Sequence, residues 1–157
     1  MPVVLYRIDD RFIHGQVVIG WGRPLGVDTI ILVDDQVRTS EWEQELYRMA
    51  VPAEITVRFL SVEEAAADPE ALGARRGRSI VLTGDVATMA ALHDAGVSIP
   101  KLNLGGVHHR PGRTERLPYL FLTEAEYRTL QRLASGGTEI EAQDLPTSPH
   151  VNLRALG

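Results

Sequence analysis

Five short apolar runs, each bounded by turn or helix signals, constrain this chain more than any other feature. They are Val3-Val-Leu-Tyr6, the acid-bounded stretch Asp28-Thr-Ile-Ile-Leu-Val-Asp34, Ile55-Thr-Val-Arg-Phe-Leu60, Ser79-Ile-Val-Leu-Thr83 and Lys101-Leu-Asn-Leu104. Runs this short and this continuous read as strands buried on both faces, the pattern of a parallel sheet. Helix signals separate them. Ser40-Glu-Trp-Glu43, Ser61-Val-Glu-Glu64 and Thr123-Glu-Ala-Glu126 have the spacing of capping boxes, and Asp85 is an N-cap candidate for a helix over 86–95 with Gly96 at its end. Leu46, Met49 and Ala50 predict the buried face of the second helix, which Pro52 ends. A helix follows Ala65 until Pro69 breaks or restarts it. Leu117 to Leu122 predicts a sixth strand, made imperfect by Pro118, and Thr138 to Ala142 a last one.

Strands alternating with helices at short spacing predict an α/β fold: a single-domain, three-layer, mostly parallel twisted sheet of about seven strands, with helices on both faces and room for an antiparallel edge strand. One domain is expected over 1–157, with 146–157 a C-terminal tail that adds a turn of helix or frays. A length of 157 residues, 44% hydrophobic, supports one substantial core. A net charge of −5 argues against nucleic acid or an anionic membrane surface as partner. The chain has no cysteine, so disulfides and thiolate metal sites are excluded. No apolar run approaches a membrane span and no leader opens the chain, so a cytoplasmic protein is expected, with any membrane role arising through partners.

The chemistry concentrates in Arg7-Ile-Asp-Asp-Arg-Phe-Ile-His-Gly-Gln-Val17, which follows the first strand and precedes an apolar stretch of Val17, Val18, Ile19 and Trp21. Val17 and Trp21 are one turn apart, so that stretch reads as a short helix and the charged segment as a strand-to-helix loop, where open α/β sheets place ligands. His14 then lies at the start of a helix, where backbone N–H groups favour an anion. A histidine that accepts phosphate must be neutral with a free lone pair. Arg7 and Arg11 disfavour imidazolium and then stabilise the arriving phosphoryl group, and Asp9 or Asp10 can orient one ring nitrogen. A surface histidine in an ion-paired loop is the alternative.

The same run, with Trp21, resembles the signature of mannose/sorbose-family enzyme IIB subunits of the bacterial phosphotransferase system. Val33-Asp-Asp35, Met49-Ala-x-Pro52, Leu102-Asn-Leu-Gly-Gly106 and Leu145-Pro146 extend the resemblance in order along most of the chain. The resemblance implies a protein-Npi-phosphohistidine–sugar phosphotransferase component. His14 takes phosphate from a IIA protein at Nδ1 and passes it to a sugar bound by a membrane IIC/IID permease. It further implies a sheet whose order reverses between the first and fourth strands, so that the His14 loop and the loop from Thr83 to Asp85 flank one crevice. Candidate catalytic residues are His14, Arg11 and Asp10. Phosphate-binding candidates are Arg7, Arg11, Gly15, Gln16, Thr83 and Gly84. Relatives more often carry Ser-Pro in the fourth-strand loop and leucine at position 12; Asp85 opposes an incoming dianion unless it turns inward to cap its helix.

Other features carry less. Arg75, Arg76 and Arg78 read as a solvated turn, and His108 and His109 as surface residues that touch a partner rather than a metal pair, since no third ligand stands at a helpful spacing. His93 reads as solvent-facing on its helix, and His150 lies in the tail. Neither G-x-G-x-x-G nor G-x-x-x-x-G-K-[ST] occurs at the required place, so no cofactor is expected. A second reading keeps the fold and the histidine but uses phosphorylation as a signal to a partner, without sugar transport. The sequence leaves a homo-oligomer open.

Overall fold

A computed structural model describes residues 3–68, 72 and 77–157. Alternation along the strands decides its layering. Ile31, Val33, Val81, Leu102 and Leu104 enter one apolar cluster, and their neighbours Ile30, Leu32, Ile80 and Leu82 enter the other. Each strand therefore buries both faces, as the unbroken apolar runs predict. Full burial of such a side chain stabilises the fold by about 1.5–3 kcal/mol.

Five parallel strands form the centre: β1 (Val3–Ile8), β2 (Thr29–Val33), β3 (Thr56–Leu60), β4 (Ser79–Thr83) and β5 (Lys101–Leu104). The later strands are β6 (Thr114–Leu117), β7 (Leu120–Leu122), β8 (Glu139–Ala142) and β9 (Val151–Asn152). The main sheet has seven strands in the order β3-β2-β4-β1-β5-β8-β9. β8 adds parallel to β5, and β9 closes the edge antiparallel to β8. From β1 the chain moves towards β2 and β3; from β4 it moves the other way, to β5. The switch point expected between the first and fourth strands is therefore present, and the loops leaving β1 and β4 diverge around a crevice.

The helices are α1 (Asp35–Arg38), α2 (Glu41–Met49), α3 (Val62–Ala67), α4 (Val86–Asp94) and α5 (Glu124–Ser135). The capping boxes at Ser61 and Thr123 form, each with its glutamate returning to the cap backbone. Ser40 caps α2 only by position, without a side-chain bond. No helix among the described residues is long and apolar enough to cross a membrane.

Several expectations are corrected. Residues 117–122 do not form a strand of the main sheet: β6 and β7 are a separate antiparallel hairpin, because Pro118 and Tyr119 fall in its turn. Of the two alternatives for the tail, the turn of helix is the one that forms: a 3-10 helix, Leu153–Leu156, buries Leu153 and Leu156, and β9 precedes it. In α2 the inward face is Gln44 and Tyr47, with Gln44 donating to the carbonyls of Val37 and Arg38, so Leu46 and Met49 are exposed. The segment after His14 is a π-helix, Gln16–Gly22, whose wider turn buries Val17, Val18 and Trp21 and leaves Ile19 exposed. Pro69, Arg75 and Arg76 lie outside the described residues; Arg78 donates to the Leu25 carbonyl.

Candidate active site

Arg7 belongs to β1 and not to the loop after it. Period-two alternation puts Tyr6 and Ile8 into one core and turns Arg7 to the other face, where it pairs in register with Asn103 of β5. A charged side chain survives there because it is met on nearly every side. Its guanidinium donates to Asn103 Oδ1, to the carbonyls of Gln143 (2.9 Å) and Asp144 (3.0 Å), and to Asp9 Oδ2 (3.3 Å), and it lies 4.9 Å from the centre of the Trp21 ring. Trp21 Nε1 donates to the same Asp144 carbonyl. Burial pushes the Arg7 pKa down, and Asp9 pushes it back up. A Cβ on Gly105 would sit 2.3 Å from Arg7 Nη2, so the first glycine of the Leu102–Gly106 motif makes room for the guanidinium.

Asp9 is the hub. Its backbone N–H donates to the Thr83 carbonyl, tying the end of β1 to β4. Its buried carboxylate meets Arg7, accepts from Arg11 N–H and Nε at Oδ1 (3.2 Å each) and from Arg11 Nη2 at Oδ2 (3.3 Å). His14 Nε2 lies 3.2 Å from Oδ2. That contact is close in distance but off the line of a hydrogen bond, so Nε2 is buried beside a negative charge without a hydrogen-bond partner among the described residues. Burial alone would raise the Asp9 carboxyl; the His14 ring, Arg11 and Arg7 more than offset it and hold the group well below the usual carboxylate range. Of the two aspartates left open by the sequence, Asp9 is the one beside His14.

The other candidates fall at different distances from this centre. Arg11 is 35% exposed; Nε and Nη2 are engaged by Asp9 and by Gln16 Oε1 (2.8 Å), while Nη1 has no hydrogen bond among the described residues. Gly15 is exposed at the start of the π-helix, with open space where a Cβ would be. Thr83 is fully buried and its hydroxyl donates to the Asp85 carbonyl. Gly84 lies beneath the Phe12 ring, 2.5 Å from where its Cβ would be, and Phe12 sits at φ 58. Asp85 caps α4 through the Thr88 N–H (2.7 Å), so its carboxylate does turn to its helix. Arg7, a phosphate-binding candidate, is fully buried and its engaged donors face inward. Asp10, a catalytic candidate, is directed by a turn to His108, whose N–H and Nδ1 lie 2.6 Å from its two oxygens.

A family profile described as the PTS system sorbose subfamily IIB component matches residues 3–156. The chain belongs to this family. It is 31% identical over 156 residues to the sorbose-specific EIIB component of Klebsiella pneumoniae, covering 98% of this chain and 93% of that protein. The mannose-specific EIIAB component of Escherichia coli (strain K12) is 28% identical, over 99% of this chain and 48% of that protein. The crystal structure of manxB from Thermoanaerobacter tengcongensis superposes with a TM-score of 0.90 at 29% identity, covering 98% of this chain and 93% of that one. The molecule is thus a phosphoryl-carrier IIB subunit of a sugar phosphotransferase system.

Asn103, Gln143 and the Asp144 carbonyl hold Arg7 in this IIB component, and residue-by-residue reading of the sequence missed all three. Asn103 was the findable one: a polar residue at the centre of the otherwise apolar Leu102–Leu104 run signals a buried partner. The two carbonyls carry no side-chain signal.

Proposed function

We propose that His14 is the phosphoryl-accepting nucleophile of this IIB component, taking the group on Nδ1 from a IIA protein and delivering it to a sugar held by membrane IIC and IID subunits. The observation that carries the reading is the ring's orientation. Nε2 is buried against Asp9 while the side chain as a whole is 18% exposed, so Nδ1 is the nitrogen left to meet a donor. Asp9 orients the ring and balances the charge it gains when the P–N bond forms. Arg11 offers Nη1 to the phosphoryl oxygens, and backbone N–H groups at Gly15, Gln16 and Gly84 line the approach. Arg7 acts from behind, by fixing Asp9. Thr83 contributes through the backbone, because its hydroxyl is already committed.

This chemistry is that of a protein-Npi-phosphohistidine–sugar phosphotransferase. The E. coli relative named EIIAB supports a IIA donor. The absence of a membrane-crossing helix among the described residues supports a cytoplasmic protein held at the membrane by its permease. Incubation with phosphoenolpyruvate, enzyme I, the phosphocarrier protein and a matching IIA should place one acid-labile phosphate on His14, read by mass spectrometry. His14→Ala should abolish it with an unchanged circular dichroism spectrum. Histidine phosphorylation persisting in His14→Ala would overturn the assignment.

A further inference from the structure

We propose that His108, clamped by Asp10 beside Arg11, is a second catalytic histidine: the general base that takes the proton of the sugar hydroxyl when the phosphoryl group leaves His14. The inference rests on the reading of His14 as the carrier.

His108 is 68% exposed, yet it is held as few surface residues are. Its backbone N–H donates to Asp10 Oδ2 at 2.6 Å, its ring Nδ1 lies 2.6 Å from Asp10 Oδ1, and its carbonyl accepts from Arg113 Nη1 at 3.0 Å. Arg113 is itself fixed by two bonds to Glu126. Asp10 in turn is tied back through its own N–H to the Gly106 carbonyl. In the neutral ring, a proton on Nδ1 facing that carboxylate puts the lone pair on Nε2, which has no hydrogen-bond partner among the described residues. The His109 ring packs edge-on against Phe121, and no ion pair joins it to a carboxylate among the described residues.

Neighbouring aspartates thus hold two histidines, Asp9 beside His14 and Asp10 beside His108, with Arg11 between them in sequence. Arg11, Gln16 and His108 share one cavity of about 240 Å³, walled further by Tyr119, Phe121 and Asp144. Aromatic faces mixed with donors and one carboxylate suit the edge of a hydroxylated ring.

The two half-reactions differ in protons. Charging moves a phosphoryl group onto a lone pair of His14, and no proton has to leave the attacking nitrogen. Delivery breaks the P–Nδ1 bond, returns its electron pair to His14 and forms a P–O bond, so the hydroxyl proton must go elsewhere. His108 Nε2 receives it, the Asp10 carboxylate balances the positive ring, and exposure lets the proton pass to water.

The test separates the two steps. Wild type, His108→Gln and the control His109→Gln are charged by phospho-IIA, then chased with permease membranes and mannose, sorbose, fructose or N-acetylgalactosamine. His108→Gln should charge within about twofold of wild type but deliver about 100-fold more slowly to whichever sugar wild type accepts, while His109→Gln matches wild type in both steps. Equal slowing of both steps, or of neither, would overturn the inference. A wild type that is not charged, or that delivers to none of the four sugars, would instead overturn the proposed function on which it rests.

Discussion

On the β5 side of β1, Asp9 is buried against Arg7, Arg11 and His14; on the β2 and β4 side, Asp34 and Asp85 stand at the first turns of α1 and α4 with their carboxylates on backbone N–H groups. Both sides put acids just beyond strand ends. One side neutralises its acid with cationic side chains inside the protein, and the other with the partial charges of helix starts. Buried pairing gives an oriented, dry carboxylate that can hold a ring, but each partner then depends on the others. Capping is local, and removal of one cap leaves the rest of the structure as it was.

The largest effect should come from breaking the buried side. Asp9→Asn leaves Arg7 charged and unbalanced in the core, with an expected loss of about 3–5 kcal/mol in urea unfolding. The same variant should flatten the acid limb of stability. Because the Asp9 carboxyl is held below its ordinary range when folded, the unfolded chain binds its proton more readily. That contribution is complete above the ordinary carboxylate range and fades as pH falls through it towards the depressed folded value. Wild type should therefore lose more Tm than Asp9→Asn between about pH 5 and pH 3; equal losses would show that Asp9 is not the group involved.

Next comes Gly105→Ala, whose methyl group would lie 2.3 Å from Arg7 Nη2. It should destabilise by about 1–3 kcal/mol in thermal melts and lower the rate of His14 charging, because the displaced guanidinium carries Asp9 with it. Gly106→Ala, whose nearest contacts would be 3.4 Å away, should cost clearly less. The smallest change belongs to the capping side: Asp85→Ala should cost about 1 kcal/mol and leave charging unimpaired. A loss at Asp85 as large as at Asp9 would erase the distinction between the two sides.

Much of this is legible in the sequence. The five central strands, the boxes at Ser61 and Thr123 and the Asp85 cap depend on residues near in sequence and appear where the pattern puts them, except that β1 runs on through Arg7 and Ile8. Misreadings arose where local pattern met tertiary demand. Leu46 and Met49 have the spacing of a buried face, but Gln44 is drawn inward to satisfy the carbonyls at the end of α1. The hairpin of β6 and β7 looked like one strand because an apolar run hides a turn at Pro118. At the site, His14, Arg11 and Gln16 were legible as a cluster, while the separate duties of Asp9 and Asp10 were not. Adjacent aspartates in one loop look alike until the chain's turn aims one inward and the other at His108.

What the sequence determined by itself is what acts over short range: the two-faced apolar strands, the helix starts, and a histidine set among charges at the end of the first strand. Tertiary structure decided what depends on partners far along the chain. Arg7 is buried because β1 lies beside β5, which brings Asn103 to it, and because the loop after β8 closes over it with the carbonyls of Gln143 and Asp144. A charge in a core is stable only where such partners converge, and convergence is a property of strand order, which no local pattern encodes.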